Sequence, residues 1–279
     1  MNNKPSKSQI KRIFKRATVT PAPGKKAAAF FDIDQTLIKG ASAFQVAKAL
    51  YKRNFFGKRD IFFAARHALL YRLLGEDKRS INRVVQRGLD VMAGHSAEEL
   101  EEIVDELYGK IFSHRIIPGT RAILDRHLEL GHEVWLISAT PTQVSETIAR
   151  KMGATGSLGT RVKTDGHNRF LPELESGIMH LRGKAMAAVS LASRRDLDLK
   201  SSFAYGDSIN DLPLLETVGN PCAINPEPLL RLVAIDNDWP IAQFTSRRFD
   251  LKKLVRRILQ TTVGTLLLRS LRTHFTRWL

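Results

Sequence analysis

The sequence predicts an α/β fold: a doubly wound, mostly parallel sheet with an inserted all-helical cap domain. Two observations predict it. Short apolar runs of strand length alternate with segments whose apolar residues recur every three to four positions, as expected for strands and helices that follow one another in a parallel sheet. One stretch, 42–116, interrupts this alternation because its patterns are helical, so we interpret it as an insertion after the first strand.

The apolar segment 27–33 (AAAFFDI) predicts a buried strand that ends in carboxylates. In open α/β sheets, ligands bind beyond the carboxyl ends of the strands, so functional residues are expected there. The insertion follows this strand directly and is therefore placed to cover the site as a cap. Its helical patterns cover the segments Ala43–Leu50, Ile61–Leu74, Ile81–Met92 and Ala97–Phe112.

Residues 117–245 return to alternating strands and helices. Thr140-Pro141 predicts a helix start, with threonine as the N-cap and proline at the first helical position. Asp165-Gly166 predicts the turn of a hairpin within Gly159–Leu171. The other predicted elements are a helix over Arg121–Leu130, a strand over Glu133–Ser138, a helix from near Gly183 and a strand over Ser202–Tyr205.

The net charge of +16 on 279 residues is concentrated at the two ends of the chain. Residues 1–26 carry eight Lys or Arg and no acidic residue, whereas 246–279 carry nine and one Asp, so each end has a charge of +8. The stretch between them is formally neutral. We therefore predict a basic N-terminal arm (1–26), a core (27–41 and 117–245), a helical cap (42–116) and a basic amphipathic C-terminal arm (246–279).

Cys222 is the single cysteine, which excludes an internal disulfide framework and favours a reducing compartment. No apolar run approaches the roughly 20 residues that span a bilayer, and the basic start lacks the apolar region of a secretory signal. These features predict a cytoplasmic protein. The basic arms are candidates for contact with an anionic surface, such as the inner face of a membrane.

Asp32 and Asp34 end the first strand in the motif Asp32-Ile33-Asp34-Gln35-Thr36. Residues two apart on a strand face the same side, so both carboxylates are expected to project together. One can attack an electrophile while the other exchanges a proton with the leaving group and with water. Because neighbouring carboxylates repel each other, a cation is needed to keep both ionised. A solvated, aspartate-rich turn is the alternative interpretation.

A second acidic motif, Gly206-Asp207-Ser208-Ile209-Asn210-Asp211, follows a later predicted strand. A helix start would place Asp207 and Asp211, four positions apart, on one face. Magnesium prefers a few carboxylates together with water and phosphate oxygens, which Asp32, Asp34 and Asp207 can provide with support from Asp211. Helix capping by Asp207 and Ser208 is the alternative, but it does not account for the paired acids.

Ser138 and Lys184 are candidates for phosphate binding. Ser138 ends a predicted strand, where a hydroxyl and free backbone N–H groups suit a phosphoryl oxygen. Lys184 follows Gly183, and a lysine beside a glycine can approach a phosphate as a point charge. Taken alone, a helix-capping serine and a surface lysine explain these residues equally well.

Together the motifs resemble those of the haloacid dehalogenase-like (HAD) hydrolase superfamily. D-x-D-x-T, a serine after a strand, a lysine and G-D-x-x-x-D occur in the family's order over about residues 28–235. The helical insertion resembles subfamily IB, which includes phosphoserine phosphatase. The resemblance implies a Rossmann-like core and a magnesium-dependent phosphatase that forms an aspartyl-phosphate intermediate.

The resemblance also implies a role for each candidate. Asp32 is the expected nucleophile and Asp34 the general acid/base, while Ser138 and Lys184 hold the phosphate. Phosphoryl transfer needs mainly alignment and charge neutralisation, which such a set provides. The expected Mg²⁺ ligands are the carboxylates of Asp32 and Asp207 and the backbone carbonyl of Asp34, assisted by Asp211 and Asn210.

The substrate is predicted only as a phosphate monoester. Phosphoserine phosphatases typically carry a glutamate nine residues after the nucleophile, where it meets the substrate ammonium, and that position is Ala41 here. Phosphoserine is therefore disfavoured. Arg87 in the cap is a loose match to a carboxylate-binding arginine and is kept as a substrate-binding candidate.

Two apolar features leave a lipid-linked phosphate as an alternative substrate. The cap is rich in apolar residues around Phe55-Phe56 and over 61–74, which indicates either packing on the core or an apolar entrance. Leu251, Leu254 and Ile258 recur at helical spacing among basic residues, as in a helix that lies on an anionic bilayer. Docking of this helix on the body and binding of an acidic partner are the alternatives.

Nucleic acid is not expected as a partner because aromatic interleaving and a recognisable nucleic-acid module are both missing. A hypothesis from another class is a catalytically inactive module that binds a phosphate ligand, which the presence of both Asp32 and Asp34 disfavours. The oligomeric state is not predicted.

Overall fold

The computed structural model describes residues 13–14, 20–57 and 78–245. The described residues up to Phe244 belong to one compact unit. Its centre is a six-stranded sheet in the order β3-β2-β1-β6-β7-β8, and every pair of neighbouring strands is parallel. The predicted α/β fold with a doubly wound parallel sheet is confirmed. The strands are β1 (Ala28–Asp32), β2 (Glu133–Pro141), β3 (Gly156–Thr160), β6 (Phe203–Gly206), β7 (Asn220–Ile224) and β8 (Ile241–Ala242), with β4 (Val162–Thr164) and β5 (Phe170–Leu174) forming a separate antiparallel hairpin.

The central strand β1 is apolar throughout because helices cover both faces of the sheet. Ala29 and Phe31 belong to one hydrophobic cluster, and Ala28 and Phe30 to the other. Helices of the insertion are α1 (Ser42–Lys52), α2 (Lys78–Met92) and α3 (Ala97–Leu107); those of the core are α4 (Pro118–Glu129), α5 (Thr142–Met152), α6 (Arg182–Arg194), α7 (Leu212–Thr217) and α8 (Pro228–Asp236).

Two predicted elements differ from the structure, and a third cannot be compared with it. The predicted helix Ala97–Phe112 is α-helical to Leu107 and continues as a π-helical turn over Tyr108–Phe112. The predicted hairpin is shorter than Gly159–Leu171, because Gly159 belongs to β3 and only β4 and β5 pair antiparallel. The predicted helix Ile61–Leu74 lies outside the described residues.

The predicted helix start at Thr140-Pro141 is wrong. Strand β2 extends through Pro141, which pairs with Thr160 of β3, and the helix begins at Thr142. The Thr160 hydroxyl donates a hydrogen bond of 2.7 Å to the Ala139 carbonyl, which helps to hold this end of β2 in the sheet. The proline stands one position before the helix, where its fixed φ is compatible with extended backbone.

Part of the predicted N-terminal arm packs on the body. Ile13 is buried, and the ring of Phe14 lies 4.8 Å from that of His127 and 5.7 Å from that of Phe203. The backbone N–H of Lys26 donates to the Asp196 carbonyl at 3.1 Å. These parts of the arm therefore belong to the folded unit. The predicted C-terminal arm, 246–279, lies outside the described residues.

None of the described helices has both the length and the hydropathy needed to cross a bilayer.

Candidate active site

Asp32 and Asp34 lie at the carboxyl end of β1 and line one cavity, but their carboxylates have different partners. Oδ1 of Asp32 accepts a hydrogen bond of 2.6 Å from Nζ of Lys184. Oδ1 of Asp34 accepts a hydrogen bond of 2.8 Å from the backbone N–H of Ser42, the first residue of α1. An anion at the start of a helix is stabilised by the free N–H groups there. The two acids therefore line the same cavity, but hydrogen bonds from different partners hold their carboxylates.

Lys184 connects the two acidic motifs. Its Nζ lies 2.6 Å from Oδ1 of Asp32 and 2.6 Å from Oδ1 of Asp211, and its side chain is 6% exposed. Gly183 allows the preceding loop to pack closely, since a Cβ at this position would lie 2.5 Å from the Ile178 carbonyl oxygen. Gly183 therefore permits close packing of the backbone next to Lys184. Because Lys184 is buried, the interpretation of it as an ordinary surface lysine is wrong.

Asp211 reaches back to the loop that follows β6. Its Oδ2 accepts hydrogen bonds of 3.2 Å from the backbone N–H groups of Asp207 and Ser208. Gly206 makes this approach feasible, because a Cβ there would lie 2.6 Å from Cβ of Asp211. Ser208 caps the short helical turn Ile209–Asp211, so the capping interpretation is confirmed for Ser208, and the same turn brings Asp207 and Asp211 together.

Asp32, Asp207 and Asp211 are buried and form a candidate metal centre. One carboxylate oxygen from each lies within 4.8 Å of the others. The three carboxylates carry three negative charges when ionised, and Lys184 supplies one positive charge. Buried charges need compensation, and carboxylate oxygens are ligands that Mg²⁺ prefers. These residues therefore fit a magnesium ion, and Asp211 belongs to the same carboxylate cluster as Asp32 and Asp207.

The electrostatics of the site follow from burial and from the crowding of charges. Burial and the neighbouring carboxylates of Asp211 and Asp207 raise the pKa of Asp32 well above its usual range, although Lys184 opposes this. Burial also raises the pKa of Asp34. For Lys184, burial favours the neutral amine, but the carboxylates of Asp32 and Asp211 outweigh it and raise the pKa. The lysine is therefore a permanent cation between the acids.

Ser138 lies in β2 beside the same cavity, and its Oγ is 2.9 Å from the hydroxyl of Thr140. Thr140 was predicted as a helix cap, but its hydroxyl faces Ser138 and its side chain lines the cavity. The two hydroxyls and the nearby Lys184 ammonium are donors suited to phosphoryl oxygens.

The chain matches the haloacid dehalogenase-like hydrolase family over residues 29–216. The chain belongs to this family. The match covers both acidic motifs as well as Ser138 and Lys184, so the family proposed from the order of the motifs is confirmed.

Relatives and solved structures agree with this assignment. The chain is 41% identical over 224 residues to a Mycobacterium tuberculosis protein named phosphoserine phosphatase SerB1, covering 80% of this chain and 72% of the relative. It is 29% identical over 225 residues to a protein of the same organism named a probable phosphatase, covering 80% and 77% of the two chains. The family match and these names confirm the prediction of a phosphatase.

Two solved structures show the same fold. A Bordetella pertussis protein of unknown function aligns with a TM-score of 0.71 and 25% identity over 79% of this chain and 100% of that one. Phosphoserine phosphatase, solved as an analogue of its phospho-aspartyl intermediate, aligns with a TM-score of 0.53 and 16% identity over 84% and 99% of the chains.

The two remaining candidates of this HAD-family chain, Asn210 and Arg87, lie in different places. Asn210 lines the cavity, and its backbone N–H donates to Oγ of Ser208 at 3.2 Å. Arg87 occupies an exposed position on α2 and is not among the described residues that line the cavity. The structure therefore does not bring Arg87 to the acids.

Several residues that line the cavity were not predicted as site residues, and the polar ones include Gln35, Thr140, His180 and Glu227. Gln35 lies within the first motif and has a φ of 61°. Glutamine rarely adopts this left-handed conformation, so the residue type does not predict it. Glu227 accepts a hydrogen bond of 2.7 Å from the Ile209 N–H and thereby holds the second acidic loop. Because Glu227 is 18 residues away from Ile209, local sequence spacing carries no signal for this contact.

Proposed function

We propose that the chain is a magnesium-dependent phosphatase that hydrolyses a phosphate monoester through an aspartyl-phosphate on Asp32. One observation carries the proposal: the Lys184 ammonium bridges the carboxylates of Asp32 and Asp211 at 2.6 Å each, beside Asp207 and at the edge of a cavity. A nucleophile, a cation and a candidate metal centre thus converge at the carboxyl ends of β1 and β6, where ligands of such sheets bind.

Asp32, Asp207 and Asp211 are the side chains proposed to hold the magnesium ion, together with the Asp34 carbonyl expected from the family resemblance. When bound, the ion would neutralise charge on the phosphoryl oxygens and on the carboxylates around it. An ammonium has three N–H donors, and Lys184 uses two of them on Asp32 and Asp211. Its third N–H, with the hydroxyl of Ser138, is available to a phosphoryl oxygen.

The reaction proposed for these residues has two steps. A carboxylate oxygen of Asp32 attacks phosphorus, the ester P–O bond breaks, and Asp34 gives its proton to the leaving oxygen. Water then attacks the aspartyl-phosphate while Asp34 takes the water proton, the bond from phosphorus to Asp32 breaks, and inorganic phosphate leaves. The hydrogen bond from Ser42 holds Asp34 in place for both proton transfers.

Turnover of p-nitrophenyl phosphate with and without Mg²⁺ tests this proposal. We expect turnover that stops with EDTA, returns with Mg²⁺ and is abolished in Asp32→Asn. Asp196→Asn is a matched control, because Asp196 is exposed and asparagine tolerates its positive φ of 52°. Full turnover by Asp32→Asn would refute the nucleophile, whereas binding of phosphate without any turnover by the wild type would favour an inactive binding module.

Detection of the covalent intermediate separates Asp32 from a residue that only binds. Rapid acid quenching followed by peptide mass spectrometry is expected to find the phosphoryl group on the peptide that contains Asp32. With p-nitrophenyl phosphate, an Asp34→Asn variant should accumulate this species, because p-nitrophenolate leaves without a general acid whereas the water that cleaves the intermediate needs a general base. A phosphorylated residue elsewhere would contradict the assignment.

Phosphoserine is a second candidate substrate because a relative 41% identical to this chain carries that name. Ala41 disfavours it, since a methyl group cannot neutralise the substrate ammonium. Contact of the basic arms with an anionic membrane surface remains a separate prediction. Flotation with anionic vesicles, with and without residues 246–279, tests it, and a protein that never floats contradicts it.

A further inference from the structure

The cavity above Asp32 has two chemically different walls. Its volume is about 580 Å³, within the range of roughly 300–1,000 Å³ that is typical of small-molecule sites. The sheet side carries the carboxylates, Lys184 and the hydroxyls. Opposite them, the described lining residues of the insertion are all apolar: Ala43, Val46, Ala47 and Leu50 of α1, Met92 of α2, and Leu100 of α3.

Helix α1 contributes most of this apolar wall. Ala43 and Ala47 are one helical turn apart and exposed, so their methyl groups form the accessible surface of the helix in the cavity. Val46 and Leu50 are 6% and 7% exposed and form the packed layer beside them. Since Asp34 is bonded to the first residue of α1, the wall begins next to the group that protonates the leaving oxygen.

Several of the charged groups that line the cavity already have partners on the core side. Lys184 is shared by Asp32 and Asp211, and Glu227 accepts the Ile209 N–H at 2.7 Å. An amino-acid leaving group brings an ammonium and a carboxylate that lose water on binding. The described part of the insertion offers them only hydrocarbon, and burying unpaired charge is unfavourable.

We infer that the substrate is the phosphate monoester of an alcohol whose carbon chain is uncharged and apolar next to the ester oxygen. This inference rests on the proposed phosphatase activity and adds the class of leaving group. The hydrocarbon packs against the apolar face of α1 formed by Ala43 and Ala47, while the phosphoryl group binds at Lys184 and Ser138. Both a short soluble alkyl phosphate and a lipid phosphate have this chemistry.

A series of n-alkyl phosphates from ethyl to octyl, assayed by phosphate release, tests the inference. Burial of each methylene is expected to raise kcat/KM roughly fourfold until the cavity is filled. n-Propyl phosphate and O-phosphoserine share the same three-carbon chain, so their comparison isolates the two charges. We expect propyl phosphate to be the better substrate by at least about tenfold, as one charged group left unpaired outweighs one methylene.

Ala47→Lys places a charge on the wall without removing packed atoms, and it is expected to abolish the dependence on chain length. Phe44→Lys is the matched control, because Phe44 is on the same helix, is 65% exposed and is not among the described lining residues. Thermal unfolding of both variants verifies that they fold. A wild-type rate that is independent of chain length, or faster turnover of O-phosphoserine than of propyl phosphate, would overturn the inference.

The outcomes also separate this inference from the proposed function. If p-nitrophenyl phosphate is hydrolysed through Asp32 and the alkyl series is flat, the leaving-group class alone is wrong. If no ester is hydrolysed, the phosphatase proposal falls and the inference falls with it. A rate that levels off at a short chain indicates a soluble alkyl phosphate, whereas a rate that continues to rise with single-chain lipid phosphates in micelles indicates a lipid.

Discussion

Replacement of Lys184 by methionine tests how strongly the site depends on this buried lysine. The ammonium is 2.6 Å from Asp32 and 2.6 Å from Asp211, and the three side chains are 6%, 10% and 2% exposed. Removing one partner of a buried ion pair costs about 3–5 kcal/mol, because the remaining charge stays buried without compensation. We therefore expect the free energy of unfolding of Lys184→Met, measured in urea with EDTA at neutral pH, to fall by about that amount.

Lys163→Met is the matched control. Lys163 lies 2.7 Å from Glu173, so the contact is as short, but the two side chains are 47% and 63% exposed. Exposed pairs contribute about 0–1 kcal/mol. Equal losses in the two variants would refute the argument that burial decides the cost.

The pH dependence of Lys184→Met provides a second check with a defined sign. The pKa of Asp32 in the folded protein is already raised by burial and by its acidic neighbours, and removal of Lys184 raises it further. A folded-state pKa above the unfolded value contributes stability at low pH that is lost as the pH rises through the folded pKa. The difference from the wild type should therefore shrink as the pH falls from neutral, and a difference that grows would contradict this reasoning.

Three further predictions concern Gly206, His127 and Phe14. Gly206→Ala should lower kcat/KM and weaken Mg²⁺ binding at least about tenfold, because the new Cβ would lie 2.6 Å from Cβ of Asp211. Gly166→Ala is the control, because a Cβ at Gly166 would have no atom within 4 Å. Equal effects of the two substitutions would refute the steric argument. Burial lowers the pKa of His127 well below its usual value, so the wild type should lose up to about 1.4 kcal/mol of stability per pH unit below roughly pH 6.5 from this group. His127→Gln, compared by urea unfolding, should reduce that slope, and an unchanged slope would assign the acid sensitivity elsewhere. Phe14→Ala should lower the free energy of unfolding by about 1–3 kcal/mol, because the half-buried Phe14 ring packs on His127 and Phe203. Phe44→Ala is the control, because Phe44 is exposed. An equal loss in the control would show that the N-terminal contact contributes nothing specific.

Local sequence spacing was sufficient where one element carries both partners. Asp207 and Asp211 are four positions apart at the end of a strand, and the structure joins them through a 3.2 Å hydrogen bond. The strand β1 was also predictable, because an apolar run that ends in carboxylates matches a strand with both faces buried. Thr140 was misassigned, since only pairing with β3 shows that β2 continues through Pro141.

Contacts between distant segments were the part that the sequence did not disclose. Lys184 is 152 residues from Asp32 along the chain, yet its Nζ lies 2.6 Å from Oδ1 of Asp32. In the sequence, only the order of the motifs connects the two residues. Phe14 was assigned to a basic arm on charge alone, yet its ring lies 4.8 Å from that of His127. Charge counting describes the average of a segment and is insensitive to single apolar residues that anchor it.

Helix α1 performs two tasks, and this coupling bears on how specificity should be expressed. Its first N–H holds Asp34, and its exposed face contributes Ala43 and Ala47 to the cavity. With Asp34 as the proposed proton donor, we expect a leaving group that fits this face to steady the helix that positions it. Poorly fitting esters should therefore lose kcat as well as affinity, because binding energy used to align a catalytic group appears in the rate of the chemical step. A leaving group that contacted only the core would alter KM alone.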